Sequence, residues 1–132
     1  MRHFSFCFLI IERDAFIAQD MREGLSEACG ICGVRRYTSD QDVLANEDEL
    51  QSLAQVPVIV TKRSLLEVEQ SGLGAMAMRN GWPIVIRLDL DSEQAVAEHG
   101  WLSLPSPFVR SDLARLVDGL WARYPQMTRK RA

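Results

Sequence analysis

Short unbroken apolar runs alternate along this chain with stretches whose apolar positions recur at helical spacing. Residues 4–11, Phe4-Ser5-Phe6-Cys7-Phe8-Leu9-Ile10-Ile11, form the first run and predict a buried strand. Phe16, Ile17, Met21, Leu25 and Ala28 then follow helical spacing, and Cys29-Gly30 ends that helix. Residues 31–37 predict a second strand, and Arg35 and Arg36 place it at a sheet edge, where charge deters further pairing. Ser39 with Asp42 starts a second helix whose apolar face includes Val43, Leu44, Leu50 and Leu53. Val56-Pro57-Val58-Ile59-Val60-Thr61 is β-branched and suits a central strand buried on both faces. Residues 64–80 are helical in pattern with a break at Gly72 and Gly74; Ser64 and Glu67 are spaced for a capping box, and Asn80-Gly81 is a natural stop. Residues 83–88 predict a fourth strand, 91–98 a short helix closed by His99-Gly100, and 101–104 a fifth strand. Leu113, Leu116, Val117, Leu120 and Trp121 line a final helix.

Strand and helix thus alternate throughout, which predicts an α/β fold: a mostly parallel sheet of five strands covered by helices on both faces, with right-handed crossovers. Such a sheet carries its site at the C-terminal ends of its strands. The residues there are Glu12, Arg13 and Asp14 after the first strand and Thr61, Lys62 and Arg63 after the third. Leu88 and Asp89 follow the fourth, and Pro105-Ser106-Pro107-Phe108 the fifth.

A length of 132 residues fits one domain, expected over 1–124, with a short basic tail over 125–132 in which Pro125 ends regular structure. Hydrophobic residues at 47 % and charged residues at 25 % match a folded protein, not a disordered one. The net charge of −3 gives no reason to expect nucleic acid as a partner. The N-terminal apolar run stops at Glu12-Arg13-Asp14 without a cleavage site, and no other run nears the roughly 20 residues that span a bilayer. A cytoplasmic location away from membranes is the expectation. Cys29 and Cys32 form a lone C-x-x-C where a helix ends and a strand begins, not at the helix N-terminus that stabilises a thiolate. Structural or inert cysteines fit best, ahead of a redox pair or a metal site, since His3 and His99 are not grouped with them.

Leu9-Ile10-Ile11-Glu12-Arg13-Asp14-Ala15-Phe16 at one end and Trp101-Leu102-Ser103-Leu104-Pro105-Ser106-Pro107-Phe108 at the other carry a resemblance. Over about residues 4–122 the chain resembles a response-regulator receiver domain of two-component signalling, which implies a doubly wound, flavodoxin-like sheet with strand order 2-1-3-4-5 and helices on both faces. The resemblance implies a magnesium-dependent phosphoryl-transfer pocket: two acidic residues after strand 1, an aspartate after strand 3, a hydroxyl after strand 4 and a lysine after strand 5. It also implies a cis bond before Pro107, in the turn after the fifth strand. Here Glu12 takes the first acidic position, Arg13 stands where the second carboxylate belongs, and Asp14 falls one residue beyond. Thr61 or Lys62 replaces the phosphoacceptor, Leu88 the hydroxyl and Ser106 the lysine. Magnesium needs several oxygen ligands, Arg13 adds repulsion, and no lysine neutralises a transferring phosphoryl group. The expectation is a degenerate pocket with no metal, no cofactor and no catalytic residue.

The charges around that pocket allow three readings: a solvated rim, an ion pair of Arg13 or Lys62 with Glu12 or Asp14 that holds one arrangement, or an anion or small-ligand site. The leading function is a pseudo-receiver working by protein–protein contact in a signalling pathway, as an adaptor or a homodimer and not as an enzyme. The resemblance puts the contact on the fourth helix, fifth strand and last helix, with Trp101 and Phe108 as interface candidates. A small-ligand protein or enzyme on a flavodoxin-like fold is the alternative, although no Gly-rich loop follows the first strand and no nucleophile is paired with a base. A DNA-binding regulator is a third class; the sequence ends a few residues past Trp121, and Arg123, Arg129, Lys130 and Arg131 are too few to specify nucleic acid.

Overall fold

The computed structural model describes residues 5–124; the expected basic tail and the start of the first strand at Phe4 lie outside the described residues. Five parallel strands make one sheet in order β2-β1-β3-β4-β5: β1 (Phe6–Ile11), β2 (Gly33–Tyr37), β3 (Val56–Thr61), β4 (Ile84–Arg87) and β5 (Leu102–Leu104). This is a doubly wound, flavodoxin-like topology: the parallel sheet follows from the alternation of elements, and the strand order is the one the resemblance implied. β1 and β3 are buried along their whole length, which is why both read as continuous apolar runs. β2, with Arg35 and Arg36, lies at one edge.

The helices are α1 (Ala15–Ala28), α2 (Asp40–Ala45), α3 (Glu47–Gln51), α4 (Leu65–Ser71), α5 (Leu73–Asn80), α6 (Glu93–Glu98) and α7 (Arg110–Arg123). Successive strand residues point to opposite faces, so the core divides in two. Phe6, Phe8 and Ile10 pack with Val58, Val60 and Val85 against α1 and α7. Cys7, Leu9 and Ile11 pack with Ile59, Ile84 and Ile86 against the other five helices. Among the described residues no helix is long and apolar enough to cross a membrane.

Three local features differ from the expected pattern, at Asn46, Gly72 and Phe16, and the cysteine pair adds a cross-link. The second helix divides at Asn46, whose side-chain amide donates to the Asp42 carbonyl at 2.6 Å while its own backbone leaves the helical region. The stretch over 64–80 breaks at Gly72 alone, where φ is +92°, a conformation that favours glycine. Gly74 is buried inside α5 beneath the Trp101 ring. Cys29, the residue after α1, is joined to Cys32 in a disulfide, leaving buried Cys7 as the free thiol of the described residues. Phe16 is not on the core face of α1: it is 88 % exposed, and Ala18, Met21 and Leu25 carry the packing.

Candidate functional site

The C-terminal ends of β1, β3 and β4 meet an open cleft of about 500 Å³ lined by Ile11, Glu12, Arg13, Thr38, Ser39, Thr61, Lys62, Arg63, Glu67 and Asp89. Glu12 leaves β1 as its backbone N–H donates to the Tyr37 carbonyl at 2.9 Å. Arg36 on the edge strand holds the turn that follows, donating to the carbonyls of Glu12 at 3.0 Å and Arg13 at 2.7 Å. Asp14 caps α1, its carboxylate accepting from the N–H groups of Phe16 and Ile17. That role turns Asp14 away from any shared pocket; it is exposed and does not line the cleft.

The central interaction is a buried ion pair between Glu12 and Arg87, the last residue of β4. Their side chains retain only 13 % and 4 % exposure. One Glu12 oxygen accepts from the Arg87 guanidinium and the other from the Asp14 N–H at 2.9 Å. Burial alone would raise the Glu12 carboxyl, but the Asp14 N–H and the adjacent Arg87 charge outweigh it and hold the group below its ordinary value. The guanidinium carbon lies 5.7 Å from the centre of the Phe108 ring, within reach of a cation–π contact. Phe108 is half-buried and packs against the core as well, so it is a support for Arg87.

Arg87 was missed by reasoning from the sequence, which placed Leu88 in the pocket after β4. The signal was strand alternation. Phe6, Phe8 and Ile10 share a face with Val85, so Glu12 and Arg87, each two residues further along, continue onto that face. Leu88 points the other way, packing with the second core and lining a separate groove beside β5. Of the three readings of these charges, the pairing of Arg13 or Lys62 with Glu12 or Asp14 is not formed among the described residues; the cation that pairs with Glu12 is Arg87. The Arg13 and Lys62 side chains are exposed and form no ion pair among the described residues.

Thr61 ends β3 at 1 % exposure, and its hydroxyl oxygen accepts the Arg63 N–H at 3.1 Å. Arg63 in turn pairs with Glu67 at 3.0 Å and approaches Asp40 at 3.7 Å. Ser106 is half-buried, and its bond to Pro107 is cis, as the resemblance implied. Ser106 does not line the cleft. Among the described residues no three His, Cys, Asp or Glu side chains are grouped to hold a metal ion. Trp101 is half-buried, packed over Gly74 and 5.2 Å from the His99 ring. With Leu88, Leu102, Asp112 and Arg115 it lines the groove between α6 and α7, about 470 Å³ in size.

The family models searched and the curated proteins searched both contain no match to this sequence.

Proposed function

We propose that this chain is a phosphorylation-independent pseudo-receiver, a cytoplasmic signalling adaptor or regulator that acts by protein–protein contact and not as an enzyme. The observation that carries the reading is the buried Glu12–Arg87 pair. In a receiver-like site Glu12 stands at the first of the two acidic positions that serve magnesium, the second and more important being Arg13 here, and the Glu12 charge is already matched by a guanidinium inside the protein. A metal would have to displace Arg87 and leave that charge buried, at a cost of several kcal/mol. Thr61 or Lys62 at the phosphoacceptor position supports the same reading, since neither is a carboxylate, and the Thr61 hydroxyl, which accepts from the Arg63 N–H, would yield only a stable phosphoester. A pocket held by a resident cation has no on and off states of its own, so its contacts are constitutive. The groove with Trp101 is available for a two-fold homodimer, the commonest closed assembly.

Incubation with acetyl phosphate and magnesium, followed by intact-mass measurement, tests the reading. The expected outcome is no added phosphoryl mass. Stoichiometric labelling at a carboxylate would overturn it.

A further inference from the structure

The Cys29–Cys32 disulfide lies at the opposite end of the sheet from the cleft, where the chain leaves α1 and enters the edge strand β2. It closes a turn of neighbouring residues and joins no distant segments, so as a staple it restrains little of the unfolded chain. The turn is held without it. The Cys29 N–H donates to the Leu25 carbonyl at 2.8 Å and the Cys32 N–H to the Cys29 carbonyl at 3.2 Å. The Ile31 carbonyl accepts from the Ser5 hydroxyl at 3.1 Å and from the Gln55 side-chain amide at 3.2 Å, which ties the turn to the residues that precede β1 and β3. These bonds keep the two cysteines side by side whether or not their sulfurs are joined.

The two residues are not equivalent. Cys29 belongs to the core beneath α1 and α7 at 6 % exposure, whereas Cys32 only packs against that core and is half-buried. Gly30 and Ile31, between them, are exposed, and a Cβ added at Gly30 would meet nothing within 4 Å. An incoming thiol approaches Cys32 over an open turn and finds Cys29 shielded. Cys29 also follows the last residue of α1, at the negative end of the helix, where a thiolate is disfavoured. Exchange therefore starts from the reductant and not from this pair.

We propose that Cys29 and Cys32 form a reversible dithiol–disulfide switch at the junction of α1 with β2, opened by a dithiol reductant that docks on the Gly30–Ile31 turn and attacks Cys32. A thiolate of the reductant bonds to the Cys32 sulfur; the S–S bond breaks and its electron pair leaves on Cys29, which takes a proton from water. The reductant's second thiol then loses its proton, bonds to the reductant's own first sulfur and expels Cys32, which is protonated in turn. The protein gains two electrons and two protons, and the dithiol becomes a disulfide. A monothiol fails at the second step. Cys29, held beside the mixed disulfide, has a far higher effective concentration than a second monothiol and re-forms the bond. The switch goes beyond the adaptor reading and is independent of it. It also fits the cytoplasmic placement proposed above, where disulfides are commonly transient or redox-sensing.

The test equilibrates the full chain with reduced glutathione or with dithiothreitol at equal thiol concentration. Acid quenching, alkylation and tryptic digestion follow, and the peptide over 23–35 reports the pair apart from Cys7. Dithiothreitol is expected to yield at least about ten times as much dithiol as glutathione does. The circular dichroism spectrum should stay unchanged on reduction, and glutathione disulfide should restore the bond once dithiothreitol is removed. The glutathione adduct trapped by the quench is expected on Cys32. With an aromatic disulfide reagent, Cys29→Ser, which frees Cys32, is expected to react about tenfold faster than Cys32→Ser, which frees Cys29. Loss of structure on reduction would make the bond a staple and overturn the proposal. Equal reduction by the two reagents, resistance of the folded chain to dithiothreitol, an adduct on Cys29, or equal reactivity of the two variants would overturn it as well. Where either variant fails to fold, the wild-type adduct decides which sulfur is attacked. None of these outcomes touches the acetyl phosphate test of the adaptor reading.

Discussion

At the residue scale, the structure turns on a buried charge and its partner. Removing Arg87 leaves Glu12 largely buried against nothing of opposite sign, whereas removing both charges removes the problem. We expect Arg87→Met to cost about 3 kcal/mol of unfolding free energy and the E12Q/R87M pair to cost clearly less than the two single changes summed. Urea titrations of the four proteins measure this, and additive losses would show that the pair is not coupled. The Glu12 carboxyl is held below its ordinary 4.5, so its contribution is complete above that pH and is lost as pH falls through the lower folded value. The acid limb of stability should accordingly be shallower in Glu12→Gln than in wild type. His99 has the opposite sign. Its ring lies 2.9 Å from a Glu69 oxygen, and that carboxylate, with the Ala95 carbonyl, raises it above 6.5. The stabilisation is present below 6.5 and lost as pH rises through the folded value. Proton NMR titration should show the His99 midpoint returning toward 6.5 in Glu69→Gln.

At the element scale, α1 and α7 share one face of the sheet and meet at Gly24. A Cβ there would overlap the Leu113 side chain, which is fully buried and has little room to retreat. Around this contact Arg110 of α7 reaches Asp20, Glu23 and Glu27, aligned along α1. Those pairs are exposed and screened, so the closeness of the helices rests on the glycine. Gly24→Ala would gain about 1 kcal/mol of helix propensity but force an overpacked contact costing about 1–3 kcal/mol. The expected net effect is a lower urea midpoint with an unchanged m-value; a higher midpoint would show that Leu113 re-packs freely. The same helix ends in the Cys29–Cys32 disulfide, at the junction with β2 where the C-x-x-C spacing placed it. Bonding of the two sulfurs was not evident from that spacing, because it depends on how the turn orients two side chains.

At the scale of the whole molecule, the two cores share one sheet and have no independent existence. Trp121 belongs to the core beneath α1 and α7, and Trp101 packs against the other. Unfolding should therefore be two-state. Tryptophan fluorescence from variants retaining one or other of these residues should give urea transitions coincident with each other and with circular dichroism. Separate midpoints would show that the two faces open independently. The same sheet carries the strand ends to one side of the molecule. Residues far apart in the chain, such as Glu12 and Arg87, meet there although 75 positions separate them.

Periodicity along the chain determined the five strands, their parallel direction, the edge position of β2 and the end of the molecule that carries the cleft. These depend on apolar spacing and on the short-range chemistry of caps, glycines and turns, both of which are local. Only the tertiary structure decided which cation pairs with Glu12. Strand register and side-chain direction select Arg87 over its neighbour Leu88, and over Arg13 and Lys62, whose side chains stay in solvent. It likewise decided that Phe16 stands outside the core, since a helix's apolar spacing leaves its first turn free to overhang the sheet. Helical spacing is a property of one segment; burial is a property of what the other segments place against it.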